Sequence, residues 1–320
     1  MLESPYNLRH STEVSADPFS DVLKLASAEA VISGGLTAGR AWAIRFPPPE
    51  KLKFFAIVRG TCWLTIDGRE DPIRVEPGDV FLVSRLAFVL LGDMAAIPVD
   101  ASDVFTPASG MFAQLGAGDD FSFVGGHVTL DALSGGFFAD VLPPLVYVRA
   151  VSPQATVLQW LLEQLVRERA SDLPGASVVS EQLAQLMFVQ ILRAHLDDSG
   201  SLPAGLLRAL GDAGIAPAIR LMHGDPGRPW KLQELAESAA MSRTTFALRF
   251  KNAAGVTPLT YLLNWRMRLA ERALREGKTT VSALGESLGY TSESAFSNAF
   301  KRAIGIAPER YRDARRRTAA

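Results

Sequence analysis

One twenty-residue pattern is written twice near the end of this 320-residue chain. Residues Ser242–Tyr261 match Ser292–Tyr311 at a constant offset of 50. Eight positions are identical: Ser242/Ser292, Phe246/Phe296, Phe250/Phe300, Lys251/Lys301, Ala253/Ala303, Gly255/Gly305, Pro258/Pro308 and Tyr261/Tyr311. A repeated pattern specifies one structural unit built twice. Each copy reads as a helix, a tight turn and a second helix.

In the first copy, Leu232, Leu235 and Ala236 share one face of a short helix over 231–239. Ala240-Met241 makes the turn and Ser242 caps the next helix. There Phe246 and Phe250 stand one turn apart and face inward, which leaves Arg243, Thr244, Ala247, Leu248 and Lys251 on or near the outward side. Gly255 ends this helix, and Thr257-Pro258 opens another. The second copy follows the same plan. Val281, Leu284 and Leu288 line its first helix after Thr280, and Gly289-Tyr290 makes a turn one residue longer. Ser292 caps the second helix, with Phe296 and Phe300 inward and Glu293, Ser294, Ser297, Asn298 and Lys301 outward. Pro308 then opens a last helix ending Arg315-Arg316-Arg317.

Between the copies, Leu262, Trp265, Leu269 and Leu274 give Pro258–Glu276 a helical apolar face. About 18 residues at 1.5 Å each span roughly 27 Å. Adding the half-widths of the two units sets the second helices about one DNA turn, roughly 34 Å, apart. Base contacts are expected from the first turns of these helices and phosphate contacts from Lys and Arg near their ends. Arg243 suits guanine, while Thr244, Ala247 and Leu248 suit thymine methyls; Leu248 is equally a packing residue. Asn298 suits a bidentate contact to adenine. Glu293 can accept from cytosine N4 or simply favour the helix macrodipole.

These residues carry a resemblance. Pro229-Trp230-Lys231-Leu232, Leu235-Ala236, Met241-Ser242, Phe250-Lys251, Gly255, Pro258, Tyr261-Leu262 and Arg266-Met267 resemble the AraC family of transcription regulators. So do Gly289-Tyr290, Ser292, Phe296, Ala299-Phe300-Lys301, Gly305, Pro308 and Tyr311-Arg312. The match covers roughly 213–312. It departs from the family pattern at Lys231, where Thr or Ser commonly caps, at Ala240, where Gly often turns, and at Gly285, where Ala is usual. The resemblance implies an all-helical domain on double-stranded DNA and activation through contact with RNA polymerase; the residues allow repression equally.

Charge divides the chain in the same place. Residues 213–320 hold 18 Lys+Arg against 9 Asp+Glu, a net of +9, whereas 1–212 hold 15 against 25, a net of −10. An anion-binding module is joined to a segment unsuited to nucleic acid. A hydrophobic content of 48% fits a folded globular chain. There is no apolar run of spanning length and the Met1–Pro5 start is unlike a signal peptide, so the expected place is the cytoplasm, with no membrane partner. The single Cys62 leaves no disulfide framework.

Residues 41–130 change character. Short apolar runs over 41–46, 54–58, 61–66, 80–83, 87–91 and 121–129 are broken by turn signals at Pro47-Pro48-Pro49, Arg59-Gly60, Asp67-Gly68 and Pro77-Gly78. This spacing predicts a small barrel or jelly roll. Gly60, Asp67-Gly68 and Glu76-Pro77-Gly78-Asp79 resemble the cupin barrels that precede the DNA-binding part in many AraC-type regulators. The cupin metal motif is missing: Pro48-Pro49-Glu50 and Phe54 stand where His-x-His and Glu belong, and Val89 where a later His belongs. His10, His127, His195 and His223 form no ligand spacing. Neither a metal nor another cofactor is expected.

A barrel mouth still suits a small-molecule effector. Trp42, Arg45 and Trp63 are the candidate pocket groups; the alternative places both tryptophans in a core or interface and leaves Arg45 exposed. Phe19–Ala28 reads as a helix leading into the barrel. Two amphipathic helices follow at 156–171 and 176–197, the first with Val157, Leu158, Leu161, Leu162 and Leu165 on its apolar face. The second carries Leu183, Leu186, Met187, Val189, Gln190 and Leu192. They either pair with a second copy, giving a homodimer, or cover the barrel. Residues 197–203 and 211–214 read as linker.

The expected fold is α+β: a cupin-like β-barrel over 1–150, a helical region over 151–212, and an all-α DNA-binding domain with two helix-turn-helix units over 213–320. The expected function is sequence-specific transcription regulation under a small-molecule effector, without catalysis. The rivals are a cupin enzyme with an autoregulatory DNA-binding tail and a ligand-independent co-regulator. A methyl-acceptor repair protein would need reactive cysteines, and Cys62 sits in an apolar strand.

Overall fold

The computed structural model describes residues 17–110, 112–130, 142–153, 155–171, 173–197, 202–277 and 279–318. Met1–Pro5, His10, most of the expected 197–203 linker and the side chains of Arg315–Arg317 lie outside the described residues. The chain forms two compact units: 28–130 with 142–197, and 17–27 with 202–318.

The elements in chain order begin with α1 (Pro18–Ala26), β1 (Glu29–Ala38), β2 (Ala43–Phe46), β3 (Leu52–Arg59), β4 (Cys62–Ile66) and β5 (Ile73–Val75). Next come β6 (Val80–Val83), β7 (Phe88–Leu91), β8 (Val99–Asp100), α2 (Ala101–Val104), β9 (Phe112–Leu115), β10 (Phe121–Thr129) and β11 (Leu145–Val148). The helices α3 (Ala155–Ala170), α4 (Ala176–Asp197), α5 (Leu206–Gly211), α6 (Ala216–Gly224) and α7 (Leu232–Ser238) follow. The chain ends with α8 (Arg243–Ala254), α9 (Pro258–Glu276), α10 (Val281–Ser287), α11 (Glu293–Ile304) and α12 (Pro308–Thr318).

In the first unit the strands form two facing sheets, not the closed barrel expected from the turn spacing. A six-stranded sheet runs β11-β6-β3-β10-β1-β9 and a five-stranded sheet β5-β4-β7-β2-β8. Most neighbours are antiparallel, with parallel pairing only at β1–β9 and β2–β8 among the described residues. Period-two burial explains the five-stranded sheet. In β4, Cys62, Leu64 and Ile66 are buried while Trp63 and Thr65 are half-buried on the other face. The inward rings of Phe46, Phe55, Phe88, Phe121 and Phe123 form the core between the sheets.

Strand β1 has no alternation of the kind that announces a strand. Its sequence is rich in small residues because larger neighbours occupy the space: a Cβ on Gly35 would collide with the Phe112 ring and the Phe123 carbonyl oxygen. A register shift between Ile32 and Gly34 marks a bulge against β10. Helix α4 covers this sheet, and the Gln185 amide extends the ladder, accepting from the Ala30 N–H at 2.8 Å and donating to the Ala28 carbonyl at 3.0 Å. Leu158, Leu161, Leu162, Leu165, Leu183, Met187 and Leu192 are buried as their spacing predicts. Val157 and Leu186 are instead exposed, as are Trp160 and Val179.

The second unit contains α1, the helix expected over Phe19–Ala28 as a lead into the barrel. Asp17 caps this helix, and its buried face of Phe19, Val22, Leu25 and Ala26 packs on α6 and α9. Here His223 of α6 is 6% exposed, stacked on Trp265 at 3.8 Å. Its Nδ1 lies 3.4 Å from the Asp21 carboxylate of α1 and its Nε2 2.9 Å from the Tyr261 hydroxyl. Asp21 can only accept, so Nδ1 carries the proton and Nε2 accepts from Tyr261. Burial holds the His223 pKa below its usual 6.5, outweighing the opposing pull of Asp21.

A depressed histidine pKa means that the unfolded chain takes up the proton first as pH falls. The stability this site gives is therefore complete above about pH 6.5 and declines below it. Hydrogen-exchange protection factors of α6 and α9 are expected to drop between about pH 7 and about pH 5. His223→Gln should flatten that slope; an unchanged slope would show that other groups set it.

Candidate nucleic-acid interface

The two repeat copies fold as two helix-turn-helix units, α7–α8 and α10–α11, with α9 between them. The match extends to single bonds. Ser242 Oγ accepts from the Thr245 N–H and Ser292 Oγ from the Ala295 N–H, so each second helix is capped alike. Gly255 and Gly305, at φ 75° and 91°, end these helices in the left-handed conformation. Phe246, Phe250, Phe296 and Phe300 are all fully buried. Tyr261 stands edge-on to Phe250 and Tyr311 edge-on to Phe300, both at 5.5 Å.

The turns also correspond. The Ala240 N–H donates to the Glu237 carbonyl and the Met241 N–H to the Ala236 carbonyl; the Gly289 and Tyr290 N–H groups donate in the same way to Glu286 and Gly285. Ala240 is therefore the counterpart of Gly289, with φ of +52° against +83°. The extra residue of the second copy, Thr291, falls after the turn. The family departure at Lys231 is partly compensated. Lysine has no acceptor for a reciprocal cap, yet the Glu234 carboxylate reaches back to accept from the Lys231 N–H at 2.9 Å. The Gly285 departure leaves room for Phe296, whose Cβ would lie 2.9 Å from an added methyl.

Burying two phenylalanines turns the rest of each helix to solvent. Arg243, Thr244, Leu248 and Lys251 are exposed on α8, with Ala247 half-buried; Leu248 is 62% exposed. Glu293, Ser294, Asn298 and Lys301 are exposed on α11, with Ser297 half-buried. Each set lies on one helix and shares one outward side. Thr245, absent from the sequence-based set, is also exposed in the first turn of α8, where its hydroxyl meets that of Ser242 at 2.9 Å. Arg249 is engaged elsewhere, in a two-pronged pair with Asp212 at 2.8–3.1 Å. That pair lies just after α5, a helix between the two stretches read as linker.

The spacing between units is fixed by α9 and by a clamp. Nineteen residues of α9 give it a length of about 28 Å. From it the half-buried Arg266 guanidinium donates to the carbonyls of Pro226 and Arg228, holding the 225–230 loop. That loop abuts the second unit: a Cβ on Gly289 would collide with the Gly227 carbonyl oxygen. The repeated tyrosines are each tied by a buried polar group, Tyr261 by His223 and Tyr311 by Glu271, the latter at 3.3 Å.

The three candidate effector residues do not converge. Trp42 is buried against Phe121, with ring centroids 4.6 Å apart. Arg45 is exposed and 4.0 Å from Asp100. Trp63 is half-buried on the face of β4 opposite Cys62 and Leu64. His127 meets the Ser33 hydroxyl at 2.6 Å. Among the described residues no three His, Cys, Asp or Glu side chains group to hold a metal. Burial, aided by the Asp79 charge, pushes the Cys62 thiol up to about 12, so it stays protonated near neutrality. No described helix is long and apolar enough to cross a membrane.

Two tandem helix-turn-helix units with capped, outward-facing second helices define a DNA-binding domain, here joined to a cupin-like sandwich. Residues 17–197 match the family described as Cupin and residues 235–314 the Helix-turn-helix domain. A protein of Streptomyces lividans described as an AraC-like transcription regulator is 41% identical over 297 residues, 92% of this chain and 98% of the relative. A Streptomyces antibioticus protein of the same description is 40% identical over the same shares. The HTH-type transcriptional regulator AlkR of Acinetobacter baylyi is 32% identical over 189 residues, 57% of this chain and 60% of the relative. The chain belongs to the family of AraC-like transcription regulators.

Ala240 marks where this chain strains the shared turn. Replacing it by glycine removes a left-handed alanine, worth about 1–2 kcal/mol, at an entropic cost of about 0.5–1 kcal/mol. Ala240→Gly is expected to stabilise the second unit by about 0.5–1 kcal/mol. Gly289→Ala should destabilise it by more, because backbone strain and the Gly227 collision add. Chemical denaturation followed by helix ellipticity measures both, and a neutral Gly289→Ala would refute this account of the turn.

Proposed function

We propose that this protein is a sequence-specific transcription regulator that lays α8 and α11 in successive turns of one major-groove face of double-stranded DNA. The observation that supports it best is the twice-built outward surface on a spacer of matching length. Arg243, Thr244, Ala247 and Leu248 then read bases for the first helix, and Glu293, Ser294, Ser297 and Asn298 for the second. Lys251 and Lys301, one near the end of each helix, hold phosphates and set the salt dependence.

The cupin unit is assigned the sensing role, and an effector acts by differing in affinity between DNA-competent and incompetent arrangements. The exposed Val157, Trp160, Val179 and Leu186 on α3 and α4 favour a homodimer through these helices. RNA polymerase is the partner for activation. The protein works in the cytoplasm as a regulator and not as an enzyme: its relatives are regulators, and the buried, protonated Cys62 is a poor nucleophile.

The test is footprinting on DNA upstream of the chain's own gene and its neighbours, over a range of salt. Two protected stretches about one helical turn apart are expected. Arg243→Ala with Asn298→Ala should cost about 2–6 kcal/mol of specific affinity while salt-sensitive non-specific binding persists. A specific footprint unaltered by the double change would refute the assigned readout.

A further inference from the structure

The space between the two sheets, where a cupin ligand would first be sought, is already filled. Trp42, Phe46, Phe55, Phe88, Phe121 and Phe123 pack ring against ring, with neighbouring centroids 4.6 to 6.2 Å apart. Open volume lies instead at the edge of the sandwich. There β5 and β11, the edge strands of the two sheets, flank a cleft of about 380 Å3. That size suits a small organic ligand.

Three guanidinium groups line this cleft: Arg69, Arg74 and Arg149. The carboxylates present do not balance them. Asp79 is buried and committed: it accepts from the Glu76 N–H at 2.8 Å, the Ala150 N–H at 2.7 Å and the Tyr147 hydroxyl. Glu76 stands 3.5 Å from Arg74 with both side chains more than half exposed, a weak pair in water. Arg69 and Arg149 form no ion pair with a described residue. Ile73 and Leu145 add an apolar wall.

Charged side chains on an edge strand also serve to block pairing with other chains. That role accounts for Arg74, inside β5. It does not require Arg69, before the strand, and Arg149, after β11, to meet at one cavity.

We propose that this edge cleft binds a small amphipathic carboxylate. Arg69 and Arg149 fork the carboxylate, Arg74 stands alongside, and the apolar body rests on Ile73 and Leu145. The inference rests on the reading of the cupin unit as a sensor, and names its class of effector. A route outward exists: Ala150 follows Arg149, and its carbonyl accepts from Gln159 of α3 at 2.9 Å. Occupancy of the cleft therefore acts on the start of α3, the helix carrying Trp160.

The test uses the full-length protein with benzoate, hexanoate and adipate as probes, read by titration calorimetry and by the rise in melting temperature. Benzamide and inorganic phosphate are the controls. At least one carboxylate is expected to bind, benzamide not to, and Arg69→Gln/Arg149→Gln to weaken binding about tenfold or more. Arg69→Lys/Arg149→Lys, which keeps the charge and loses the fork, should weaken it less, and serves if the Gln pair fails to fold. Silence from all three carboxylates, equal binding by the Gln variant, equal binding of benzamide, or binding of phosphate alone would each overturn the proposal. Footprints without ligand are measured on the same preparations. A lost footprint strikes the DNA-binding reading, whereas an intact footprint with no carboxylate bound strikes this one.

Discussion

The outward-facing second helix of each unit, α8 or α11, is oriented by two phenylalanines one turn apart and a tyrosine set against the second of them. Phe246, Phe250 and Tyr261 do this in the first unit, Phe296, Phe300 and Tyr311 in the second. Burial of these rings is worth several kcal/mol per unit, far more than any single surface contact. It also fixes the helix's rotation about its own axis, and hence which side chains face outward. The residues proposed to read bases are thus chosen by what is buried beneath them. The two tyrosine hydroxyls then fasten the units to different parts of the domain: Tyr261 to His223, against which α1 docks, and Tyr311 to Glu271 on the spacer helix.

This explains why the C-terminal part was so legible. Its signals are local: helical spacing of large apolar residues, Ser and Thr caps, Gly stops and Pro starts all fall within one or two turns of the elements they define. The spacer Pro258–Glu276 and the recognition helices were read from those signals alone. Helix α5 was missed because Leu206–Gly211 is short and has no side-chain cap. Its place is fixed by tertiary contacts, including the Asp212–Arg249 pair 37 residues apart.

The sandwich was less legible for the converse reason. Strand β1 is recognisable only with its neighbours present, since its Gly35 answers to Phe112 and the Phe123 carbonyl rather than to a local pattern. Strands β5, β8 and β9 are edge or near-edge pieces of two to four residues. Effector candidates chosen as conspicuous aromatics or a charge within a strand, Trp42, Arg45 and Trp63, are scattered by the pleat onto opposite faces. The cleft that does form joins residues 69–79 to 145–151, a pairing that no spacing in the sequence announces.

The division of the chain bears on the sensing role proposed for the cupin unit. Among the described residues the helical unit draws on two separate stretches of the chain, α1 and the residues from 202 onward. Ser27 ends α1 in the left-handed conformation, and two residues later β1 begins, the strand whose first backbone groups are held by Gln185 of α4. Among the described residues the chain therefore passes between the sandwich and the helical unit after α1 and again before residue 202. The route through α1 ends at His223, a neutral ring held in a buried stack beside Tyr261. Loss of α1 from this site would uncover that ring, which holds the Tyr261 hydroxyl while the Tyr261 ring stands against Phe250. On the proposed sensing role, a ligand would need no contact with a DNA-binding helix, only a difference in how well each ligation state keeps α1 in place.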